Sequence, residues 1–363
     1  MSFLKKLQPN KPTATLEGYF ISMLAKSKFG KTTFAIDLAK EFYGNLDSAL
    51  LLATEIGYKT HADVFAINIT GFKDAENDED ETQRGFIETV DELIENKNDI
   101  PFRFIIIDTI TALERYAISY CIKKANREDK PKQRYTDISD IPWGKGYTMV
   151  AEEIYSQIDR LKKNGFGIFI IGHEKVQKIK NRDGYEYDYT TFNALGKTSN
   201  IIEREADMII YGDLLVEKGE DDKARETRKL RFRSDGNILC GTRFRNFPSA
   251  IENDARVFLD TFKEAILGLY NGDEKAVEEA QTEQKAEMEA KAEKEKAKES
   301  TKKPEELIEE INEIVSGLKK TEKVKMVDYF TEVLGDANFK KCTDADALEV
   351  ALKHVKDTYV LKK

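Results

Sequence analysis

Between residues 25 and 33 the chain reads Ala25-Lys26-Ser27-Lys28-Phe29-Gly30-Lys31-Thr32-Thr33. A short turn that carries lysines and a glycine and closes on Lys-Thr-Thr has the groups needed to hold a row of phosphates. Backbone N–H groups of such a loop and of the helix after it point at an anion, and the helix dipole favours negative charge there. In that arrangement Lys31 reaches the β- and γ-phosphates of ATP, and the Thr32 hydroxyl ligates Mg2+. Every residue from Ala25 to Thr33 is thereby a candidate nucleotide contact. The pattern GxxxxGK(S/T) is imperfect, because Ala25 stands at its first glycine and alanine disfavours a positive φ. The competing reading is a lysine-rich turn leading into a surface helix.

Three further sites carry chemistry at the ends of apolar runs. Phe104-Ile105-Ile106-Ile107-Asp108 is a buried strand ending in a carboxylate, the Walker B arrangement, which places Asp108 beside Mg2+. Leu51-Leu52-Ala53-Thr54-Glu55 places Glu55 just past a strand, where a carboxylate orients and polarises water attacking a γ-phosphate; a surface glutamate in a turn is the bland alternative. Ile168-Phe169-Ile170-Ile171-Gly172-His173 ends in an imidazole that can sense the γ-phosphate and report its loss to the loop that follows. A simple strand-end histidine competes with that role. No nearby His or Cys supports a metal role for His173.

These positions require strands that end together at one edge. Strands are expected at Gly18–Leu24, Ala49–Ala53, Phe65–Ile69, Phe102–Asp108, Gly167–Gly172, Asp207–Leu215, Thr227–Arg233 and Leu239–Phe244, with helices at Thr33–Phe42, Phe86–Glu95 and Tyr147–Asn164. The alternation predicts an α/β domain with a mainly parallel sheet, and ligands of such sheets bind at the carboxyl ends of the strands.

Beyond His173, Lys178, Lys180 and Arg182 precede the alternating Tyr185, Tyr187 and Tyr189. Cations that meet phosphates beside aromatics that stack on bases suit single-stranded nucleic acid. The same alternation equally describes a hairpin with its tyrosines on a packed face. Lys123 to Arg134 reads as a second basic loop, ahead of Trp143-Gly144-Lys145-Gly146. Arg243 follows a short strand, where an arginine can approach the nucleotide of a neighbouring subunit and stabilise the transferring phosphoryl group; a basic sheet edge is the alternative.

The 363 residues, 40% of them hydrophobic, suffice for two or three domains and a sizeable core. No apolar run is long enough to span a membrane, and Met1 to Thr13 lacks a signal-peptide core, so a cytoplasmic protein without a membrane partner is expected. Cys121, Cys240 and Cys342 suggest neither a disulfide framework nor a zinc site. The net charge of −9 weighs against general coating of DNA and leaves room for local basic segments. The expected organisation is an N-terminal tail over 1–13, the α/β core over 14–270, a charged linker or solvated helix over 271–303, and a small three-helix module over 304–363. In that module Leu307, Ile311 and Leu318 mark one face, and Val324, Val327, Phe330 and Leu334 a second, closed by Gly335. Thr343 and Asp346 resemble a cap before Leu348, Leu352 and Val355.

The order of these motifs resembles the RecA-like P-loop ATPases of phages and their hosts, most of all the phage-encoded RecA-like single-strand annealing proteins. The resemblance covers residues 14 to about 260. It rests on the loop with Lys31, the Glu55 strand end, the Asp108 strand, and Gly172-His173-Glu174-Lys175. Asn193-Ala194-Leu195-Gly196-Lys197, Glu205-Ala206-Asp207-Met208-Ile209, and Arg243 with Phe247-Pro248 follow in the same order. Gly241 departs from the lysine often found there. The resemblance implies an oligomeric ring or filament that hydrolyses ATP with Mg2+, binds single-stranded DNA and promotes annealing or strand exchange. It also implies the cytoplasm of a bacterial host, and recruitment of single-strand binding protein by residues 304–363. A helicase loader or translocating hexamer, and a nucleotide-gated binding module with little turnover, are the competing readings.

Overall fold

The computed structural model describes residues 9–55, 57–75, 83–218, 224–299, 304–316, 318, 320–334, 337–342 and 345–359. The first elements are β1 (Phe20–Ala25), α1 (Lys31–Tyr43), β2 (Ala49–Ala53), β3 (Ala66–Gly71), β4 (Gln83–Gly85) and α2 (Phe86–Glu95). They are followed by β5 (Phe104–Asp108), α3 (Ile110–Asp129), α4 (Lys145–Lys163), β6 (Gly167–Lys180), β7 (Glu186–Phe192), α5 (Gly196–Glu205), β8 (Met208–Lys218) and β9 (Ala224–Arg231). Two short strands, β10 (Gly241–Thr242) and β11 (Ala250–Glu252), lead into α6 (Ala255–Leu269) and α7 (Glu274–Glu299).

One mixed sheet runs β11-β9-β8-β1-β6-β5-β2-β3-β4, with β7 and β10 attached to β6 and β8. From β4 to β8 every pairing is parallel; β9, β10 and β11 join antiparallel. This is the α/β class with a mainly parallel sheet that the alternation predicts. The central strands read as unbroken apolar runs because both faces are covered. Ile105, Ile107, Ile168 and Ile170 face α2, α3, α4 and α5. Phe104, Ile106, Phe169 and Ile171 face α1 and α6, where Phe34, Phe258 and Phe262 pack edge-on or stacked.

Two expectations are corrected here. Lys123–Asp129 is not a loop but the last turns of α3, and Lys124 is paired with Glu153 at 2.6 Å. The helix buries Ile110, Leu113, Ala117, Cys121 and Ala125, a stripe at helical spacing whose small residues dilute its apolar signal. Strand β6 does not stop at Gly172. It continues to Lys180 and pairs with β7 as a hairpin that leaves the core, its second half largely exposed.

The chain divides into two compact units, residues 1–288 and 289–363. In the first, the start of α7 packs on the core through Val277 and the buried Ala280, and Glu283 pairs with Lys11 at 2.5 Å. In the second, α8 (Pro304–Ser316), α9 (Lys320–Leu334) and α10 (Ala345–Tyr359) enclose Leu307, Ile311, Met326, Phe330, Leu348, Leu352 and Val355. Val327 is exposed; α9 turns Met326 inward in its place. Gly335 and Thr343 lie outside the described residues. Cys121, Cys240 and Cys342 form no disulfide, and burial pushes the Cys121 thiol up to about 12.

Candidate active site

Strands β1, β2 and β5 end together, and β6 passes the same edge at His173, because the registers align Ala25 with His173, and Ala53 with Asp108. That alignment gathers Lys31, Thr32, Glu55, Asp108 and His173 at one edge of the sheet, as their positions at strand ends require.

The loop from Lys26 to Gly30 turns into α1 through Lys28 at φ 65° and Gly30 at φ 103°, so Gly30 supplies the left-handed conformation that opens the helix. Ala25 is not in that conformation. It is the last residue of β1, fully buried, and room for its methyl comes from β8. A Cβ on Gly212 would lie 2.7 Å from Ala25 Cβ and 2.7 Å from the Phe29 ring. The loop thus tolerates alanine because a glycine on the neighbouring strand has moved the free space across the sheet.

Lys31 is 6% exposed and donates to the carbonyls of Ala25 at 3.1 Å and Lys26 at 3.0 Å. Burial lowers its pKa, against the pull of Asp108, Glu174 and Glu55. A desolvated ammonium held by carbonyls alone is poised for an anion. Thr32 Oγ1 donates to Asp108 Oδ2 at 2.6 Å. Burial raises the Asp108 pKa, Thr32 lowers it, and Glu55 raises it further. A hydroxyl and a carboxylate in contact form the hard oxygen pair that suits Mg2+, which takes one or two protein oxygens and completes its shell with phosphate and water. Thr32 and Asp108 would hold that ion. Among the described residues no cluster of three or more His, Cys, Asp and Glu could hold a metal.

Glu55 and Asp108 are tied together by the residues beside them. Thr54 N–H donates to Asp108 O at 2.8 Å, and Thr109 N–H to Thr54 Oγ1 at 2.7 Å. Thr109 Oγ1 donates to Glu55 Oε1 at 3.4 Å, and His173 Nε2 lies 3.8 Å from Glu55 Oε2. Thr109 also caps α3 by accepting from Ala112 N–H. From that helix Thr111 donates to Asn193 O at 2.9 Å, and the buried Glu114 accepts the Leu195 N–H with both oxygens at 3.0 Å. Asn193 N–H returns to His173 O at 2.7 Å. A chain of hydrogen bonds therefore runs from Glu55 through the start of α3 to the root of the hairpin and the His173 backbone, and the imidazole of His173 lies 3.8 Å from Glu55.

The fold does not bring Arg243 to this edge. It lies at the opposite end of the sheet, where Nη1 bonds Asp207 Oδ1 at 2.8 Å and Nη2 bonds Arg204 O at 2.7 Å. Asp207 also accepts from Phe20 N–H and Lys162, so Arg243 belongs to a clamp on the amino ends of β1 and β8. The arginine next to the loop is Arg228 on β9, whose Nη1 donates to Phe29 O at 3.1 Å. Its position follows from the antiparallel β8–β9 pairing, which no local motif announces.

On the hairpin the basic and aromatic groups separate. The register sets Tyr187 opposite Ile179 and Tyr189 opposite Gln177, whereas Lys178 faces Asp188 and Lys180 faces Glu186. Side chains alternate between faces, so Tyr187 and Tyr189 share one face, and Lys178 and Lys180 the other. Lys180 is paired with Glu186 at 3.2 Å, and Tyr189 packs against the core. Tyr185 at the turn is 73% exposed, and Arg182 is exposed beside it. From Glu174 to Phe192 the four cations Lys175, Lys178, Lys180 and Arg182 are matched by Glu174, Asp183, Glu186 and Asp188. Among the described residues the most exposed large apolar side chain is Trp143, at 92%, held at φ 62° and followed by Gly144 and Lys145.

A family model described as an AAA domain (AAA_24) matches residues 17–244, which span the loop, all five converging residues and Arg228. The comparison with curated proteins gives no match. No helix among the described residues is long and apolar enough to cross a membrane.

Proposed function

This chain belongs to the AAA-domain family of P-loop ATPases, and from that premise we propose a RecA-like, phage-type protein whose ATP hydrolysis gates its grip on single-stranded DNA and which promotes strand annealing. The observation that carries the reading is the convergence of Lys31, Thr32, Asp108, Glu55 and His173, with His173 heading the strand that becomes the hairpin.

Lys31 exchanges its two carbonyls for terminal phosphate oxygens and neutralises charge that grows there in the transition state. Bound Mg2+ supplies further charge neutralisation at the phosphates. Glu55 accepts the proton of the attacking water. His173, within 3.8 Å of Glu55, registers whether the terminal phosphate is present, and the bonds through Asn193 and Leu195 pass that state to the hairpin root. Tyr185, Arg182 and Trp143 are the exposed groups that offer bases a stacking surface and the backbone a cation. Lys178, Lys180, Tyr187 and Tyr189 contribute less to that contact, because the lysines face carboxylates and Tyr189 packs inward. Assembly into an oligomer, and capture of single-strand binding protein by residues 304–363, complete the reading.

The charge balance of the hairpin favours one rival, an ATPase that acts on a protein such as a helicase. ATP hydrolysis with and without single-stranded DNA separates them, with Lys31→Ala as control. Stimulation by DNA that vanishes in the variant supports the annealing reading. Hydrolysis indifferent to DNA transfers the assignment to the protein-directed rival, and no hydrolysis in either protein favours a nucleotide-gated binding module.

A further inference from the structure

The P-loop is gripped from outside its own motif by the paired strands β8 and β9. Gly212 pairs with Leu230, and Leu214 with Arg228. Alternate residues of a strand share a face. Leu230 and Phe29 lie in one core on the α1 side of the sheet, so Arg228, two residues before Leu230, stands on that face beside the loop. Both strands converge on Phe29, which is 2% exposed. A Cβ on Gly212 would lie 2.7 Å from the Phe29 ring, so the glycine makes the seat for that side chain. Arg228 Nη1 donates to the Phe29 carbonyl at 3.1 Å. The backbone that carries this guanidinium is pinned in turn, because Asn253 N–H donates to Arg228 O at 3.2 Å.

In a planar trans peptide the C=O and the N–H point in opposite directions. A Phe29 carbonyl turned out toward Arg228 therefore turns the Gly30 N–H the other way. Gly30, at φ 103°, gives its own carbonyl to Phe34 N–H at 2.9 Å, and among the described residues its N–H has no partner. We propose that Arg228 is a positioning residue for phosphate binding. It fixes the Phe29–Gly30 peptide so that the Gly30 N–H faces the phosphates, and it does not touch the nucleotide. N–H groups of such loops cradle the inner phosphates of a nucleotide. A guanidinium suits the task, because it is always charged and its donors lie in one rigid plane. Strands β8 and β9 thus set the orientation of a donor that the loop sequence alone leaves open. This inference rests on the reading of the P-loop as an ATP site.

The test measures equilibrium binding of ATP, ADP and pyrophosphate to the full chain, to Arg228→Met and to Arg228→Lys. Methionine removes the donor, whereas lysine keeps a donor and the charge. Arg228→Met should lose about tenfold in affinity for all three ligands alike, the scale of one hydrogen bond, and Arg228→Lys should recover most of it. The loss should persist from about 0.05 M to about 0.5 M salt, where the pull of a distant charge is screened. In hydrolysis KM should rise while kcat stays within about threefold, because the same N–H serves the ground state and the transition state. The Arg228 side chain is 46% exposed, so a melting temperature close to wild type is expected. Arg228→Gln, a polar side chain two bonds shorter, repeats the comparison should methionine lower it. Unchanged affinity in a folded Arg228→Met overturns the proposal. So does a loss confined to ATP, which puts the guanidinium on the terminal phosphate, or one that spares pyrophosphate, which puts it on the nucleoside. A loss that vanishes at high salt overturns it too, and each of these outcomes leaves the P-loop reading standing. Failure of wild type to bind even pyrophosphate overturns both.

Discussion

At the carboxyl ends of β1 and β5 the charged groups are buried and their bonds are provisional, whereas along the hairpin ladder beyond His173 the lysines are exposed and set opposite carboxylates. Lys31 rests on two carbonyls, and Asp108 is desolvated with a single hydroxyl against it. Lys180 has Glu186, and Lys178 has Asp188 across the ladder. Desolvated, under-compensated charge costs stability and is retained where a ligand will complete it. Cross-strand pairs of opposite charge contribute modestly to the fold and require no ligand. The two regions carry similar residue types, and it is their partners that distinguish a site from a solvated surface.

The largest expected effect tests the first half of that contrast. Lys31→Ala should lower ATP hydrolysis by about 10²–10³-fold, as removal of one preorganised donor does, and weaken nucleotide binding with it. Activity within threefold of wild type would show that Lys31 is only a loop support. Glu55→Gln should lower kcat by about 10²-fold or more with nucleotide affinity nearly unchanged; parallel losses in both would make Glu55 a binding residue.

Gly212→Ala probes how the loop accommodates Ala25. The added Cβ meets Ala25 and the Phe29 ring at 2.7 Å, so overpacking of about 1–3 kcal/mol is expected in urea denaturation, together with weaker nucleotide binding. A neutral substitution would mean that β8 can shift away from the loop. On the hairpin, Lys178→Ala with Lys180→Ala should change oligonucleotide affinity less than threefold, less than Trp143→Ala, because each stacked base contributes about 1–3 kcal/mol. A larger loss from the lysine pair would erase the contrast and make the lysine face a phosphate contact.

Much of the nucleotide edge was legible because each of its groups follows a run of apolar residues whose end is a fixed point of a parallel sheet. Phe104–Asp108 and Ala49–Ala53 read as strands on sight, and the order of their ends follows. What escaped was set by pairing between distant segments. Arg228 reaches the loop only through the β8–β9 register, and the accommodation of Ala25 depends on a glycine 187 positions later. Which end of the sheet Arg243 occupies was not legible, because an arginine after a short strand does not disclose it; Asp207 decides that. The hairpin lysines and tyrosines are neighbours in sequence but alternate faces, so a list of residue types joined what the pleat separates.

The smallest effect concerns Glu114, which ties the two regions together. This buried carboxylate holds the Leu195 amide at the root of the hairpin from the helix that begins beside Asp108. Burial raises its pKa above the ordinary 4.5, while Thr198, the Leu195 N–H and Lys175 pull it down. A carboxyl whose folded pKa is raised contributes stability below its unfolded pKa and loses that contribution as pH rises through the folded value. Glu114→Gln removes the titration and keeps an acceptor for Leu195. The stability of the variant relative to wild type should therefore improve as pH rises from 4.5 toward neutrality, read as the difference in urea midpoints at the two ends of that window. A constant difference would mean that the ionised carboxylate is fully compensated by its partners. The cost of keeping it ionised would then be absent, and Glu114 would belong with the satisfied charges of the hairpin instead of the poised ones of the nucleotide edge.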